Sequence, residues 1–159
     1  MRALSRSTLC ITVVLAACAK ADAPADSTTA AMNPVPPAPP APAAISLAEV
    51  AGTWNTIARP AEGTDTTSTP STLTATADTT GWFVTVGGQK TPVHVRVDGD
   101  SIMITSEPYN SVRRKGVKVV TTGVHRLVGG KLVGTTVAHY SVKTADSVLR
   151  LTVESTKAP

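Results

Sequence analysis

The sequence contains few aromatic residues, and this limits how its interior can be built. Two Trp, two Tyr and one Phe make up 3% of the 159 residues, whereas hydrophobic residues of all types make up 42%. Large aromatic side chains bury about 150–250 Å² each and dominate many protein cores. The core of this protein must therefore consist mainly of Val, Ile, Leu, Ala and the methyl groups of Thr.

Cysteines are scarce as well, and the two that occur lie near the N-terminus. Cys10 falls inside an apolar segment, and Cys18 follows the end of that segment. Beyond residue 18 the sequence has no thiol. This excludes a disulfide framework and a cysteine-ligated metal centre in that part of the chain.

No apolar run is long enough to cross a bilayer as a helix, which takes about 20 residues. The longest run extends from about Leu9 to Ala17 and contains one polar residue, Thr12. It follows a short segment that carries Arg2 and Arg6 and no acidic residue. A positively charged segment before a short apolar run is typical of a cleaved secretory signal.

The apolar run ends in Leu15-Ala16-Ala17-Cys18. This stretch resembles the lipobox of bacterial lipoproteins, in which an aliphatic residue and two small residues precede a cysteine. The resemblance implies that residues 1–17 are the signal peptide and that Cys18 becomes the N-terminus, with palmitate-type acyl chains. Several chains anchor a protein stably, because each buried CH₂ contributes about 0.8 kcal/mol. An ordinary signal peptide, cleaved elsewhere, is the alternative.

The lipoprotein resemblance also implies a location. In that family an aspartate next to the lipidated cysteine commonly causes retention in the inner membrane, but Ala19 occupies the position here. We therefore expect a membrane-anchored lipoprotein of the cell envelope, in the outer membrane and facing the periplasm.

Residues 18–44 comprise the expected lipid-bearing cysteine and a linker rich in Ala, Pro, Ser and Thr. Proline disfavours helix and favours the extended polyproline II conformation. We expect a disordered spacer that holds the next domain away from the lipid; a proline-rich ligand for a partner domain is the alternative. The seven prolines are Pro24, Pro34, Pro36, Pro37, Pro39, Pro40 and Pro42.

Residues 45–159 have the pattern of an all-β domain. Ser46, Glu49 and Gly52 predict one capped helical turn at its start. Short runs rich in Val, Thr and Ile follow, separated by Gly, Asp, Pro and Ser, and they predict an eight-stranded up-and-down antiparallel β-barrel that is monomeric. The predicted strands are Thr53–Arg59, Ser71–Ala77, Trp82–Val86, Val93–Val97, Ser101–Glu107, Val117–Val128, Lys131–Val142 and Ser147–Ser155.

Two tight turns predict which side chains face inward. An Asp98-Gly99 turn places Val97 on the same face as Ile102. A Gly129-Gly130 turn places Leu127 opposite Leu132, and by alternation it groups an uncharged set of side chains that we assign to the interior. That set comprises Val119, Thr121, Gly123, His125, Leu127, Leu132, Gly134, Thr136, Ala138 and Tyr140.

Gly52-Thr53-Trp54, at the start of the first predicted strand, resembles the Gly-X-Trp motif of lipocalins and their relatives. The resemblance implies a lipocalin-like barrel closed at one end, where a basic residue of the last strand packs over the tryptophan. Arg150 is the matching candidate in this sequence. The family's later motifs are not present, and the domain is shorter than a usual lipocalin.

Four residues are candidates for contact with a bound molecule. His125 and Tyr140 share the predicted inward face and are candidates for a pocket, although a hydroxyl such as that of Thr136 is the simpler partner for a buried histidine. Trp54 and Trp82 offer stacking surfaces, with a purely structural role in the core as the simpler alternative.

Arg113-Arg114-Lys115 forms a basic cluster in the longest predicted loop. Three cations there are able to contact an anionic headgroup, a polyanion or an acidic ligand, at about 1 kcal/mol each near an anionic membrane. A solvated loop without a partner is the alternative.

The sequence offers no recognised catalytic or cofactor motif, so we expect no enzyme and no cofactor. The predicted register puts His125 and His139 on opposite faces, so we expect no metal site. Loss of Arg2 and Arg6 with the signal leaves 13 Lys+Arg against 11 Asp+Glu, and the net charge falls from +4 to +2. A charge this small argues against nucleic acid as a partner.

Two functions fit these observations. The first is a lipid-anchored envelope protein whose barrel binds a small, mainly apolar ligand. The second is a structural or interaction module with a filled barrel, which contacts a protein or polymer through its loops. A cavity inside the barrel favours the first, and an interior filled by side chains favours the second.

Overall fold

The computed structural model describes residues 43–159, so the lipobox, Cys18 and most of the linker lie outside the described residues. Within the described part no helix has both the length and the apolar character needed to cross a membrane. The elements are α1 Leu47–Val50, β1 Gly52–Pro60, β2 Thr69–Ala75, β3 Phe83–Val86, β4 Gln89–Asp98, β5 Ser101–Ser106, β6 Tyr109–Asn110, β7 Lys118–Val128, β8 Lys131–Tyr140 and β9 Val148–Lys157.

These strands form a closed antiparallel barrel, as predicted. The order along the sheet is β5-β4-β3-β2-β1-β9-β8-β7-β6, and an additional pairing between β5 and β7 closes it. Eight strands form the wall, and each corresponds to one strand predicted from the sequence. Closure gives each of the eight wall strands a neighbour on both sides, which removes the two free edge strands of an open sheet.

The ninth strand, β6, was not predicted. It contains two residues, Tyr109 and Asn110, which pair with Val119 and Lys118 at the start of β7. β5 ends at Ser106, and Pro108, which has no backbone N–H, separates it from β6. The chain therefore leaves the wall briefly and returns to β7 nearer the end of the barrel.

The Gly129-Gly130 hairpin has the predicted register, with Val128 opposite Lys131 and Leu127 opposite Leu132. Both turn glycines have positive φ, 57° and 76°, which glycine adopts without steric cost.

The other predicted turn is displaced along the chain. Asp98 pairs with Ser101, so Gly99 and Asp100 form the turn instead of Asp98 and Gly99. The side-chain faces survive this change, because the pairing partner of each residue shifts by two positions and alternation has a period of two. Val97 still lies on the same face as Ile102.

One end of the barrel is closed by α1 and a cluster of large side chains. The predicted cap is absent, since the Ser46 side chain makes no capping hydrogen bond. The helix is instead held from its other end, where the Trp54 indole Nε1–H donates to the carbonyl oxygen of Val50 at 2.7 Å. The buried cluster comprises Val50, Trp54, Leu73, Ala75, Trp82, Val93, Ile102 and Leu132.

A second, smaller cluster lies nearer the opposite end. It is built from Val119, Ala138, Tyr140 and Leu151, which project inward from β7, β8 and β9. With only five aromatic residues in the chain, the aliphatic side chains between the two clusters do not fill the barrel.

Candidate functional site

The barrel encloses a cavity that extends between the two clusters. Centres of water-sized molecules can occupy about 120 Å³ of it, well above the roughly 10–15 Å³ that one water molecule needs. The walls are mainly aliphatic, and polar side chains project at two levels. The principal apolar lining residues are Ala58, Leu73, Val84, Val86, Val93, Ile104, Val119, Ala138, Leu151 and Val153.

His125 lies at the inner end of the cavity, which we call the floor. It projects from β7 two residues before Leu127, which packs against the closed-end cluster. Gly134 pairs with His125 on β8, and Gly123 lies two residues before it on the same face. A Cβ on Gly123 would clash with the His125 Nε2 atom and would come within 2.6 Å of the Thr136 Oγ1 atom. Gly123 therefore provides the space that the imidazole ring occupies.

The His125 ring is buried and uncharged at neutral pH. His125 is 8% exposed, and this burial lowers the pKa of its imidazole from 6.5 to about 4. No hydrogen bond from a described residue contributes to that pKa. The partner expected from the sequence, Thr136, lies over the same glycine but is not hydrogen-bonded to the ring.

A second polar group at the floor is a hydroxyl pair. Thr56 Oγ1 and Ser155 Oγ are 2.8 Å apart and hydrogen-bonded, and both residues line the cavity. They meet because Thr56 and Ser155 pair directly across β1 and β9. Each hydroxyl thus has a partner within the protein and, with one donor and two acceptor sites in all, retains capacity for further hydrogen bonds.

The other end of the cavity, its mouth, is bordered by Ser111, Val112 and Arg113, which belong to residues 111–117, the mouth segment. Its loop is stabilised by Ser111, whose Oγ accepts hydrogen bonds from the backbone N–H groups of Arg113 and Arg114 at 3.1 and 3.0 Å. Val112 and Arg113 line the cavity directly. Val112 also packs against the β3–β4 turn, where its Cγ1 occupies the space beside Gly87.

Arg113 ties the mouth segment to the loop between β1 and β2. Its Nε donates to Thr69 Oγ1 at 2.7 Å, and its Nη1 forms an ion pair with Asp65 at 3.1 Å. Its Nη2 donates to the carbonyl oxygen of Thr67. The side chain is only 15% exposed, so its guanidinium is fully engaged inside the protein.

Arg114 ties the same segment to the loop between β8 and β9. Its Nη1 pairs with Asp146 at 3.0 Å, and its guanidinium lies 4.1 Å from the centre of the Tyr140 ring, in the range of a cation–π contact. Lys115, in contrast, is exposed. The predicted basic cluster is therefore divided: two arginines fasten the mouth, and the lysine faces solvent.

Tyr140 and Tyr109 line the upper part of the cavity near this segment. The placement of Tyr140 beside the cavity agrees with the sequence prediction, although its ring also supports Arg114. Tyr109 was not predicted, because the sequence gives no sign that β6 returns to the barrel. Burial raises the pKa of the Tyr109 hydroxyl, so this group is neutral.

The two tryptophans, which were candidates for ligand contact, do not line the cavity. Trp54 and Trp82 are 1% and 2% exposed and belong to the closed-end cluster. Their indole N–H groups donate to the carbonyl oxygens of Val50 and Asp78 at 2.7 and 2.6 Å. Because each ring is buried and its N–H already has a partner, their role is to close the barrel.

The basic residue over Trp54 is Lys157, and the prediction of Arg150 is wrong. Lys157 pairs with Trp54 across β1 and β9, and its Nζ lies 5.4 Å from the ring centre. Its Nζ also donates to the carbonyl oxygen of Glu49 in α1 at 3.1 Å. Arg150 lies near the mouth, where its carbonyl oxygen accepts from Ala61, and alternation along β9 turns its side chain outward.

The histidines lie apart, as the register predicted. His125 faces the cavity, and His139 is exposed on the outer face of β8. Among residues 43–159 no group of three or more His, Cys, Asp or Glu side chains is close enough together to hold a metal ion.

No family of proteins, no curated protein and no solved structure matches the chain.

Proposed function

We propose that the protein is a lipid-anchored component of the cell envelope whose barrel binds a small, mainly apolar molecule. The cavity is the observation that carries this proposal. It combines aliphatic walls with a few convergent polar groups, which are the general features of small-molecule sites.

The same observation weighs against the interaction module. A module of that kind needs a filled interior and a free contact surface. The cavity shows that the interior is not filled. Arg113 and Arg114, the strongest candidates for such a surface, are engaged with Asp65 and Asp146. Lys115 is the member of that cluster left for an external anion, and one exposed lysine adds little binding energy.

The anchor in this proposal rests on the sequence. Leu15-Ala16-Ala17-Cys18 supports acylation of Cys18, and the linker that follows supports a barrel held away from the lipid surface. A binding barrel tethered in this way meets ligands in the aqueous space next to the membrane.

Binding can be tested with a neutral fluorescent apolar probe, N-phenyl-1-naphthylamine, whose emission rises when it leaves water. We expect saturable emission with the wild-type chain and a loss of at least fivefold in affinity for Ala58→Leu. Ala58 lines the cavity, so the larger side chain occupies ligand volume.

Ala48→Leu is the matched control. Ala48 lies in α1 and is exposed, so the variant has the same composition change without filling the cavity. Equal probe binding by wild type and Ala58→Leu, with both folded, would place the probe outside the barrel and contradict the proposal.

A further inference from the structure

The cavity floor contains a polar group whose hydrogen-bonding capacity is not used inside the protein. A neutral imidazole has one donor and one acceptor nitrogen, and the His125 ring forms no hydrogen bond with another described residue. Every fully buried side-chain nitrogen and oxygen in residues 43–159 does have a partner. The ring nitrogens of His125 are therefore accessible from the cavity, next to Thr136.

Charge is nearly absent from the cavity. Of the described residues that line it, Arg113 alone carries a formal charge, and it lies at the mouth. Its three donor groups already contact Thr69, Asp65 and Thr67. The cavity thus offers no free cation for a ligand carboxylate and no carboxylate for a ligand amine.

The geometry points to an uncharged ligand that carries a hydrogen-bonding group, such as a hydroxyl, carbonyl or amide, and contacts His125 with it. This inference rests on the proposed function and names the chemical class of its ligand. Burial of an ionised group without a partner is strongly unfavourable, whereas a neutral polar group gains a hydrogen bond at the floor that apolar molecules do not make.

The position of His125 also sets the orientation of the ligand. His125 lies six residues along β7 from Val119 at the mouth end, which is roughly 20 Å along the strand. The wall between them is formed by side chains such as Ile104, Leu151 and Val153. The polar end of the ligand therefore enters first, and its apolar remainder lies along the wall towards the mouth segment.

Three probes of equal chain length separate the contributions: octane, octan-1-ol and octanoate, each titrated into the full ¹⁵N-labelled chain at pH 7.5 and followed by NMR. We expect octan-1-ol to bind at least tenfold more tightly than octanoate and to shift the His125 ring nitrogen resonances. Octane should also bind, but it should not cause the shift of those resonances that octan-1-ol causes.

His125→Leu removes both ring nitrogens. It should weaken octan-1-ol binding about fivefold, the value of one net hydrogen bond, and leave octane binding unchanged. His125→Gln, which keeps a donor and an acceptor, should restore most of the affinity. His139→Leu, on the outer face of β8, is the matched control and should have no effect.

The outcomes distinguish this inference from the function on which it rests. Octanoate binding as tightly as octan-1-ol, or an unshifted His125 ring, would overturn the inference and leave a binding barrel. Binding of none of the three probes would overturn both. The comparison of probes uses the wild-type chain, so it decides the question even where a His125 variant does not fold.

Discussion

His125 is held in the barrel as a neutral group, and this has a cost that depends on pH. In the unfolded chain an imidazole binds a proton with a pKa of 6.5, whereas burial lowers that pKa to about 4 in the folded protein. Between these two values the unfolded state binds a proton that the folded state does not. Burial keeps the ring neutral, and a neutral ring is available to a neutral ligand. The same burial therefore lowers the stability of the fold in mild acid.

We predict that the free energy of unfolding is highest above pH 6.5 and falls as the pH drops from about 6.5 to about 4. The full loss is about 3 kcal/mol, since each unit of pKa shift corresponds to about 1.4 kcal/mol. Urea unfolding at a series of pH values measures it. His125→Gln should flatten the curve in this window.

The effect of the buried histidine on stability can be distinguished from that of the carboxylates by the pH range in which stability is lost. Hydrogen bonds from Thr67 lower the pKa of Asp65, and hydrogen bonds from Thr80 lower that of Asp78. Because both start from an ordinary value of 3.8, their contribution is lost mainly below pH 4. A steep loss between pH 6.5 and 4 that persists in His125→Gln would contradict the assignment to His125.

At the scale of elements, the mouth segment is the part of the barrel that could open without disturbing the wall. It contains no regular secondary structure, and it is fastened at the β1–β2 loop by Arg113 and at the β8–β9 loop by Arg114. Opening it requires breaking two ion pairs and their hydrogen bonds, but no strand pairing of the barrel wall. Opening of this segment would thus admit a ligand without unfolding the barrel.

We predict that Asp65→Asn opens the mouth more often, because it removes the ion pair to Arg113. Amide hydrogen exchange in residues 111–117 should become several-fold faster, while exchange in the wall strands stays unchanged. Arg113 keeps its contacts to Thr67 and Thr69 in this variant, so the segment is loosened and not released.

Glu154→Gln supplies the control for that experiment. It removes a surface pair of similar length, Lys131–Glu154 at 3.0 Å, on the outer wall and away from the mouth. Exposed pairs contribute about 0–1 kcal/mol, so exchange at the mouth should not change. Faster exchange at residues 111–117 in both variants would mean that loss of either ion pair loosens the whole protein. Arg113 would then not hold the mouth segment closed.

Much of the barrel could be predicted because local rules specify it. Glycines at 129 and 130 fix a hairpin, and alternation then assigns Leu127, Leu132 and Tyr140 to the interior. The displaced turn at Gly99 shows why faces are more predictable than turns, since a shift of two residues changes the turn but not the face.

The contacts at the ends of the barrel could not be predicted in the same way. The pairings of Arg113 with Asp65 and of Arg114 with Asp146 join loops that are distant in sequence, and no spacing of residues in the sequence predicts them. The choice of Arg150 as the residue over Trp54 could have been avoided, because alternation along the last strand already placed its side chain outward. Lys157 shares the inward parity of Leu151 and Val153 and was the better candidate for Trp54.

At the scale of the whole molecule, we propose a barrel joined to a lipid anchor. We predict that Cys18→Ser abolishes acylation and moves the protein from the membrane pellet to the soluble fraction, because the serine hydroxyl cannot form the thioether. Cell fractionation and mass measurement of the N-terminal peptide check this.

The matched variant for the anchor is Cys10→Ser, which replaces the other cysteine inside the predicted signal and should leave the protein in the pellet. A Cys18→Ser protein that remains in the pellet would show that the anchor has been assigned to the wrong residue.

We claim that the barrel carries a small molecule, and native mass spectrometry of the chain purified from its own host can detect it. We predict an additional mass that disappears on denaturation, is absent from Ala58→Leu and is retained by Ala48→Leu. A bare polypeptide mass for the folded wild-type protein would contradict the claim.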